Sequence, residues 1–295
     1  MNAVARRNGG LVGRRPPSRK GLTALLFLAP WLVSLVLFWY GPILATVGLS
    51  FSRYRLIGSP RLIGWANYAA IFQDSYFWVG LRTTFVFAAL YLPANFALGL
   101  AAAWLLSLDV RLKGLWRTIL YVPSVLPVIA VLVLGKFIFY PNGLMNTFLG
   151  FFGIKGPLWL ANPRLIIPAS VMLTAWQCGT AMVVYLGALQ NVPSQYYEAA
   201  EIDGAGAWGR FRSITLPMLG PTIFFNLVIS IIGTFQVFST AYVATGGGPV
   251  TATLFYVLYL YRQAFESFSL GYASALAWGL FIIILLFTLV QWYIG

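Results

Sequence analysis

Six stretches of twenty or more mostly apolar residues alternate along the chain with shorter polar segments. They fall at residues 22–49, 83–107, 117–140, 165–190, 217–243 and 271–294. Each is long enough to cross the roughly 30 Å of a bilayer core as a helix. The pattern therefore predicts an all-α integral membrane protein with six transmembrane helices. Pro42, Pro93, Pro123, Pro127, Pro168 and Pro221 lie within these stretches, which bilayer helices tolerate when neighbours satisfy the freed backbone groups. The first stretch is too long for the apolar region of a cleavable signal and reads as a retained span.

The polar segments set the domain organisation. Residues 1–20 carry six of the 19 basic residues, together with Pro16 and Pro17, and read as a disordered basic cytoplasmic tail. Residues 21–295 form one six-span domain. With the N-terminus inside, eleven basic residues lie in cytoplasmic segments, including Arg111, Lys113, Arg117, Arg210 and Arg212. Seven lie outside: Arg53, Arg55, Arg61, Arg82, Lys155, Arg164 and Arg262. The inside charge is spread over fewer residues, so both termini are predicted in the cytoplasm of a prokaryote bounded by this membrane. Lys136, about one turn from the outer end of its span, is expected to snorkel to the interface. The chain stops at Gly295 with no basic cluster after the last span, and a short cytoplasmic continuation is expected.

Composition agrees with the pattern and removes several function classes. Hydrophobic residues make up 60% of the chain and charged residues 8%, with a mean hydropathy of +0.83; a soluble domain carries about 25% charged residues. The net charge of +13 belongs to the tail and short loops, so it marks orientation in the membrane and not nucleic-acid binding. Histidine is absent and Cys178 is the single cysteine, which excludes an internal disulfide and a His/Cys metal cluster. The acids are Asp74, Asp109, Glu198, Glu201, Asp203 and Glu266. None lies in a predicted span, so no intramembrane acid–base pair exists, and no catalytic residue is assigned. The only Gly-Lys pair, Gly135-Lys136, precedes Phe137 and lacks the rest of a phosphate loop. ATP and magnesium are therefore expected on another subunit.

The most informative polar segment is the 191–217 loop, NVPSQYYEAAEIDGAGAWGRFRSITLP. Pro193 ends the preceding helix and Ser194 suits an N-cap. A helix is expected over 195–203, a break at Gly204 and Gly206, and a second helix over 207–213. Pro217 suits the first turn of the next span. Ala199 and Ala200 offer a flat face, Glu198 a carboxylate, and Tyr196, Tyr197, Trp208 and Phe211 rigid contact area of the kind enriched in interfaces. A helix pair of this kind either docks on another protein or rests on lipid headgroups.

Glu198-Ala199-Ala200, then Gly204, Ile214 and Leu216-Pro217 at their spacing, resemble the EAA loop of permease subunits of binding-protein-dependent ABC importers. The segment Thr245-Gly246-Gly247-Gly248-Pro249 is similar to the TxGGP signature of the carbohydrate-type (maltose and glycerol-phosphate-like) permeases. Tyr261-Arg262-Gln263-Ala264-Phe265, Gly41-Pro42-Ile43 and Trp65-Ala66-Asn67-Tyr68 extend the likeness over nearly the whole chain. The resemblance implies a type I ABC importer permease fold whose coupling helix, between spans four and five, seats in a groove of the ATPase. Glu198, Ala199, Ala200 and Gly204 would make that contact, and Ile214, Leu216 and Pro217 would shape the re-entry. It further implies a second homologous permease, a dimeric ATP-binding subunit, an extracytoplasmic solute-binding protein, and a sugar or sugar-like solute moved by alternating access.

Polar residues within the spans either line the solute path or bond to neighbouring helices. The candidates are Gln177, Cys178, Ala181, Asn226, Ser230, Thr234 and Val237. The resemblance places Ser230 and Thr234 on sugar-pocket positions of the maltose-type permease. Val237, Cys178 and Ala181 depart from that pocket, so maltose specificity does not transfer. A membrane-embedded transferase lacks its acids here. A proton-coupled carrier lacks a buried Asp, Glu or His, while a sodium site of backbone carbonyls stays open. Copurification with a separate ATPase separates these classes.

Overall fold

The computed structural model describes residues 19–108 and 110–294. Most of the basic tail, the carboxylate of Asp109 and the chain end at Gly295 lie outside the described residues. The chain falls into two units, one ending at Gly48 and one beginning at Leu49. The first holds α1 (Arg19–Ser34), a π-helical turn (Leu35–Tyr40) and all but the last two residues of α2 (Gly41–Ser50).

In the second unit a short antiparallel hairpin, β1 (Ser52–Arg53) and β2 (Arg61–Leu62), leads to α3 (Ala66–Gln73) and the long α4 (Ser75–Ser107). Then follow α5 (Lys113–Val125), α6 (Val128–Ile138), α7 (Leu144–Phe151), α8 (Ile166–Ala175) and α9 (Gly179–Gln190). The loop helices are α10 (Ser194–Ile202), α11 (Ala207–Arg210) and α12 (Leu216–Met218). The chain ends with α13 (Gly220–Phe235), α14 (Tyr256–Tyr261) and α15 (Leu270–Ile294). Among the described residues, Thr23–Ser50, Ser75–Ser107, Gly220–Thr245 and Leu270–Tyr293 are long and apolar enough to cross a membrane. The predicted six spans are reached when each of two bent helix pairs is taken as one span.

Two of the predicted spans are bent. The 117–140 stretch breaks between α5 and α6 with a bend of 100°. Leu126 is extended (φ −66°, ψ 138°) because the ring of Pro127 disfavours helical geometry in the residue before it. Pro93 and Pro123 stay inside α4 and α5. The 165–190 stretch bends by 46° between α8 and α9 without a proline. There the N–H groups of Gln177 and Cys178 bond three residues back, to Thr174 and Ala175 at 3.0 and 3.1 Å, and this tighter winding ends the helix. The fifth span tightens in the same way: Gln236 and Val237 bond back to Gly233 and Thr234 before a π-helical turn at Thr240–Thr245. The second span begins at Ser75, eight residues before its expected start at Thr83, with the Asp74 carboxylate accepting from the Tyr76 N–H at 2.9 Å.

The helix α4 is the central element, packed against α8, α9, α13 and α14. One buried cluster joins Phe87, Phe255, Tyr256, Leu258 and Leu276; another joins Leu100, Ala103, Met182, Tyr185 and Leu219. Lipid tails are as apolar as these side chains, so close packing and interhelical hydrogen bonds hold such a bundle more than burial from water does. The buried Thr84 hydroxyl supplies one such tie. It donates to the Gly80 carbonyl at 2.8 Å and accepts from the Tyr256 N–H at 3.0 Å.

Candidate functional site

The 191–217 loop folds as a helix, a turn and a second helical segment. Helix α10 begins one residue early: Ser194 is its first residue, and Pro193, extended at φ −62° and ψ 133°, holds the N-cap position without a side-chain cap. Its other end closes as the sequence requires. Gly204 has φ +77°, the Ala205 N–H donates to the Ala200 carbonyl at 2.8 Å, and the Gly204 N–H to that of Glu201 at 3.0 Å. This pair of bonds is the Schellman arrangement, and its left-handed residue is the position that favours glycine. The second helix is shorter than expected: α11 gives way to a π-helical turn at Phe211–Thr215, and Pro217 stands in the first turn of α12.

The two halves of the loop are held differently. In the second, Thr215 is buried, Ile214 and Leu216 are half-buried, and Pro217 is exposed. The Phe211 ring packs against Trp104 of α4 and stacks on Trp208, with centroids 5.2 and 5.4 Å apart. A cavity of about 340 Å³ beneath the loop is lined by Trp104, Leu189, Tyr197, Phe211 and Thr215 among others. The first half stands out from the bundle. Glu198 and Ala199 are exposed and Ala200 half-buried. Two contacts tie α10 back: the Tyr197 hydroxyl lies 3.0 Å from that of Thr215, and Arg210 pairs with Glu201 at 3.1 Å. The latter is exposed enough to contribute little. Among the described residues Glu198 has no ion pair or hydrogen-bonding partner for its carboxylate. Sequence reasoning treats Tyr197 as contact area and misses Thr215; its place between Ile214 and Leu216, inside the loop motif, is the available signal.

A second cavity, of about 360 Å³, opens beside the bends of the two broken helix pairs. It brings together Gln177, Ser230, Thr234 and Val237 of the candidate path, with Phe87, Tyr91, Thr174 and Thr240. Cys178, Ala181 and Asn226 lie outside it. Cys178 and Ala181 are buried, and the Asn226 amide donates to the Thr222 carbonyl at 3.1 Å. Thr234 is 2% exposed and its hydroxyl donates to the Ser230 carbonyl at 2.6 Å. The Gln177 amide donates to the Pro123 carbonyl at 3.1 Å.

At the far end of the bundle the Gly-rich segment folds back on α14. Gly246 and Gly247 both have positive φ, Arg262 donates to the Gly246 carbonyl at 2.7 Å, and the Thr253 hydroxyl donates to that of Gly248 at 2.7 Å. The Lys136 ammonium donates to the Val243 carbonyl at 3.1 Å. Nearby, the Asp74 carboxylate accepts from the hydroxyls of Tyr259 and, at 2.6 Å, Tyr272, with the Gln263 amide donating in turn to Tyr259 at 3.1 Å. Burial alone would push the Asp74 carboxyl up; the bonds from both tyrosines and from the Tyr76 N–H outweigh it and hold it below the usual carboxylate range. Burial, and then the bond to Asp74, push the Tyr259 hydroxyl well above the usual phenol range.

Residues 95–294 match the family described as "Binding-protein-dependent transport system inner membrane component". The chain is 37% identical over 277 residues to the probable ABC transporter permease protein YesP of Bacillus subtilis, covering 92% of this chain and 90% of that one. It is 34% identical over 275 residues to the lactose transport system permease protein LacF of Rhizobium radiobacter, covering 91% and 92%. A solved chain from a bacterial ABC transporter involved in the import of the acidic polysaccharide alginate superposes with a TM-score of 0.81 at 24% identity, covering 94% of this chain and 96% of that one. That last agreement is one of fold.

Proposed function

Because the chain belongs to the family of binding-protein-dependent transport system inner membrane components, we propose that it carries a sugar or sugar-like solute through the cavity at the broken helices. It is a multi-pass membrane permease subunit of an ABC importer, a non-catalytic partner of a separate ATPase and of a solute-binding protein. The carbohydrate reading is supported by the lactose relative and by a cavity whose lining mixes aromatic faces, Phe87 and Tyr91, with Gln177, Ser230 and Thr240. Such a mix suits a ring with apolar faces and a hydroxylated edge.

The coupling reading rests on one observation: α10 stands exposed, with Glu198 unpaired among the described residues and its far end locked by the Gly204 turn. Glu198, Ala199, Ala200 and Gly204 seat in a groove of the ATPase, and Ile214, Leu216 and Pro217 root the segment in the bundle. ATP and magnesium sit on that partner, which is dimeric. A second, homologous permease completes the path, and both termini face the cytoplasm with α10. ATP-driven motion of α10 then alternately opens the cavity to each side.

The test is reconstitution with the partner subunits in liposomes. Solute-loaded binding protein should stimulate ATP hydrolysis, and labelled sugar should accumulate inside only with ATP. Stimulation without accumulation of any sugar tried would sink the carbohydrate reading. Failure of the chain to recruit an ATPase through the loop would sink the coupling reading.

A further inference from the structure

The hairpin between the first span and α3 carries charge that the fold does not use. Its register puts Arg53 directly opposite Arg61. Opposed positions bring Cβ atoms to about 5 Å, and like charges there oppose pairing. Arg55 follows two residues on, all three arginines are exposed, and residues 51–73 contain no carboxylate. Among the described residues no hydrogen bond or ion pair engages any of the three guanidinium groups. The next acid along the chain, Asp74, is occupied by Tyr259 and Tyr272.

The hairpin is fixed at the ends of two candidate membrane-spanning helices. The Asn67 amide donates to the Ser50 and Ser52 carbonyls at 2.8 and 2.9 Å, and Ser50 ends the first candidate span. At the start of α15 the Gly271 N–H donates to the Tyr54 carbonyl at 3.1 Å. A Cβ on Gly271 would stand 2.1 Å from the Ser52 carbonyl oxygen, so only glycine permits this approach. Arg53 lies three residues beyond a span end, within about 10 Å of extended chain. Around the arginines Ile57, Leu62 and Trp65 are exposed by 93%, 84% and 70%.

We propose that this hairpin binds the phosphate headgroup of an anionic phospholipid, bridged between Arg53 and Arg61 with Arg55 adding charge. A guanidinium fork matches phosphate oxygens in a bidentate geometry, and one phosphate between two opposed forks removes their repulsion. The apolar rim selects a lipid over an acidic protein face. Trp65 suits the interfacial belt, and Ile57, exposed in the turn of the hairpin, suits the acyl boundary, which a carboxylate-rich surface would not accommodate.

The probe is phosphatidylglycerol competing with phosphatidylcholine in equimolar mixed micelles. Lipid retained by the assembled transporter is counted by native mass spectrometry. The parent should retain phosphatidylglycerol selectively. One basic side chain near an anionic surface is worth about fivefold in binding, so Arg53→Gln/Arg61→Gln should lose about 30-fold of that selectivity. Arg53→Lys/Arg61→Lys, which keeps both charges, should retain most of it, and Arg164→Gln, in another loop, should change nothing. Equal retention of the two lipids by the parent, or unchanged selectivity in the double glutamine variant, overturns the proposal. A double glutamine variant that keeps its lipid but no longer binds the solute-binding protein would make the hairpin a protein contact instead.

Discussion

The side-chain amide of Gln177, in the break between α8 and α9, donates to the backbone carbonyl of Pro123 in α5 at 3.1 Å. In an unbroken helix that carbonyl would accept from residue 127, but Pro127 has no N–H to give. The two broken helix pairs are therefore coupled: the glutamine of one satisfies the acceptor orphaned by the proline of the other. Removing the donor leaves a buried acceptor unpaired, at a cost of about 1–3 kcal/mol. Gln177→Leu should accordingly lower the thermal stability of the assembled transporter. Restoring an N–H with Pro127→Ala should make the same glutamine change cheaper, and a double-mutant cycle reads the difference. Strict additivity would show that the bond does no coupling.

How far this was legible in the sequence follows from the same pair. Hydropathy locates both stretches to within a few residues, because bilayer thickness fixes their length. It does not show that Pro127 breaks its helix while Pro123 and Pro93 do not. That depends on whether a neighbour can satisfy the freed carbonyl and take up a bend of 100°, and the neighbour lies about 50 residues away in the chain. The loop was more legible, since Gly204 and the Pro193 and Pro217 boundaries act locally through φ and the missing N–H. Its tie from Tyr197 to Thr215 spans 18 positions and has no local signature.

The cavity yields a prediction that separates the hydroxyls of Ser230 and Thr234. Thr234 is buried and its hydroxyl already serves the Ser230 carbonyl, whereas Ser230 is half-buried and also lines the cavity. Thr234→Val should leave uptake within about twofold, because the i−4 bond it removes adds little to a helix. Ser230→Leu should obstruct the cavity and reduce uptake at least tenfold, with recruitment of the ATPase unchanged. Unimpaired transport in Ser230→Leu would place the path elsewhere.

Acid sensitivity should report on Asp74. Its carboxyl titrates below the usual range in the folded protein, so the stability it contributes is present above its unfolded value near 4. That contribution is lost as pH falls through the lower, folded value. Asp74→Asn, neutral throughout, should be less stable than the parent at neutral pH, and the two should converge only as pH falls from about 4 through the lower, folded value. Thermal unfolding of the two proteins across that window gives the comparison; parallel curves would contradict the assignment.

The sharpest prediction concerns the exposed helix α10. Glu198 has no partner among the described residues and faces outward. Reversing its charge should leave the fold intact but oppose a basic groove, and like charges across an interface cost several kcal/mol. Glu198→Lys should insert normally, fail to retain the ATPase on purification and lose uptake. Gly204 tests the same contact through the backbone. A Cβ added there would meet no atom within 4 Å, so the cost of a substitution comes from φ +77° alone. Gly204→Asn, which tolerates the left-handed region, should retain more ATPase than Gly204→Val, which does not. Equal loss in both would point to a clash with the partner instead of a strained turn. Full ATP-dependent uptake in Glu198→Lys and Gly204→Val together would mean that α10 only rests on the membrane surface.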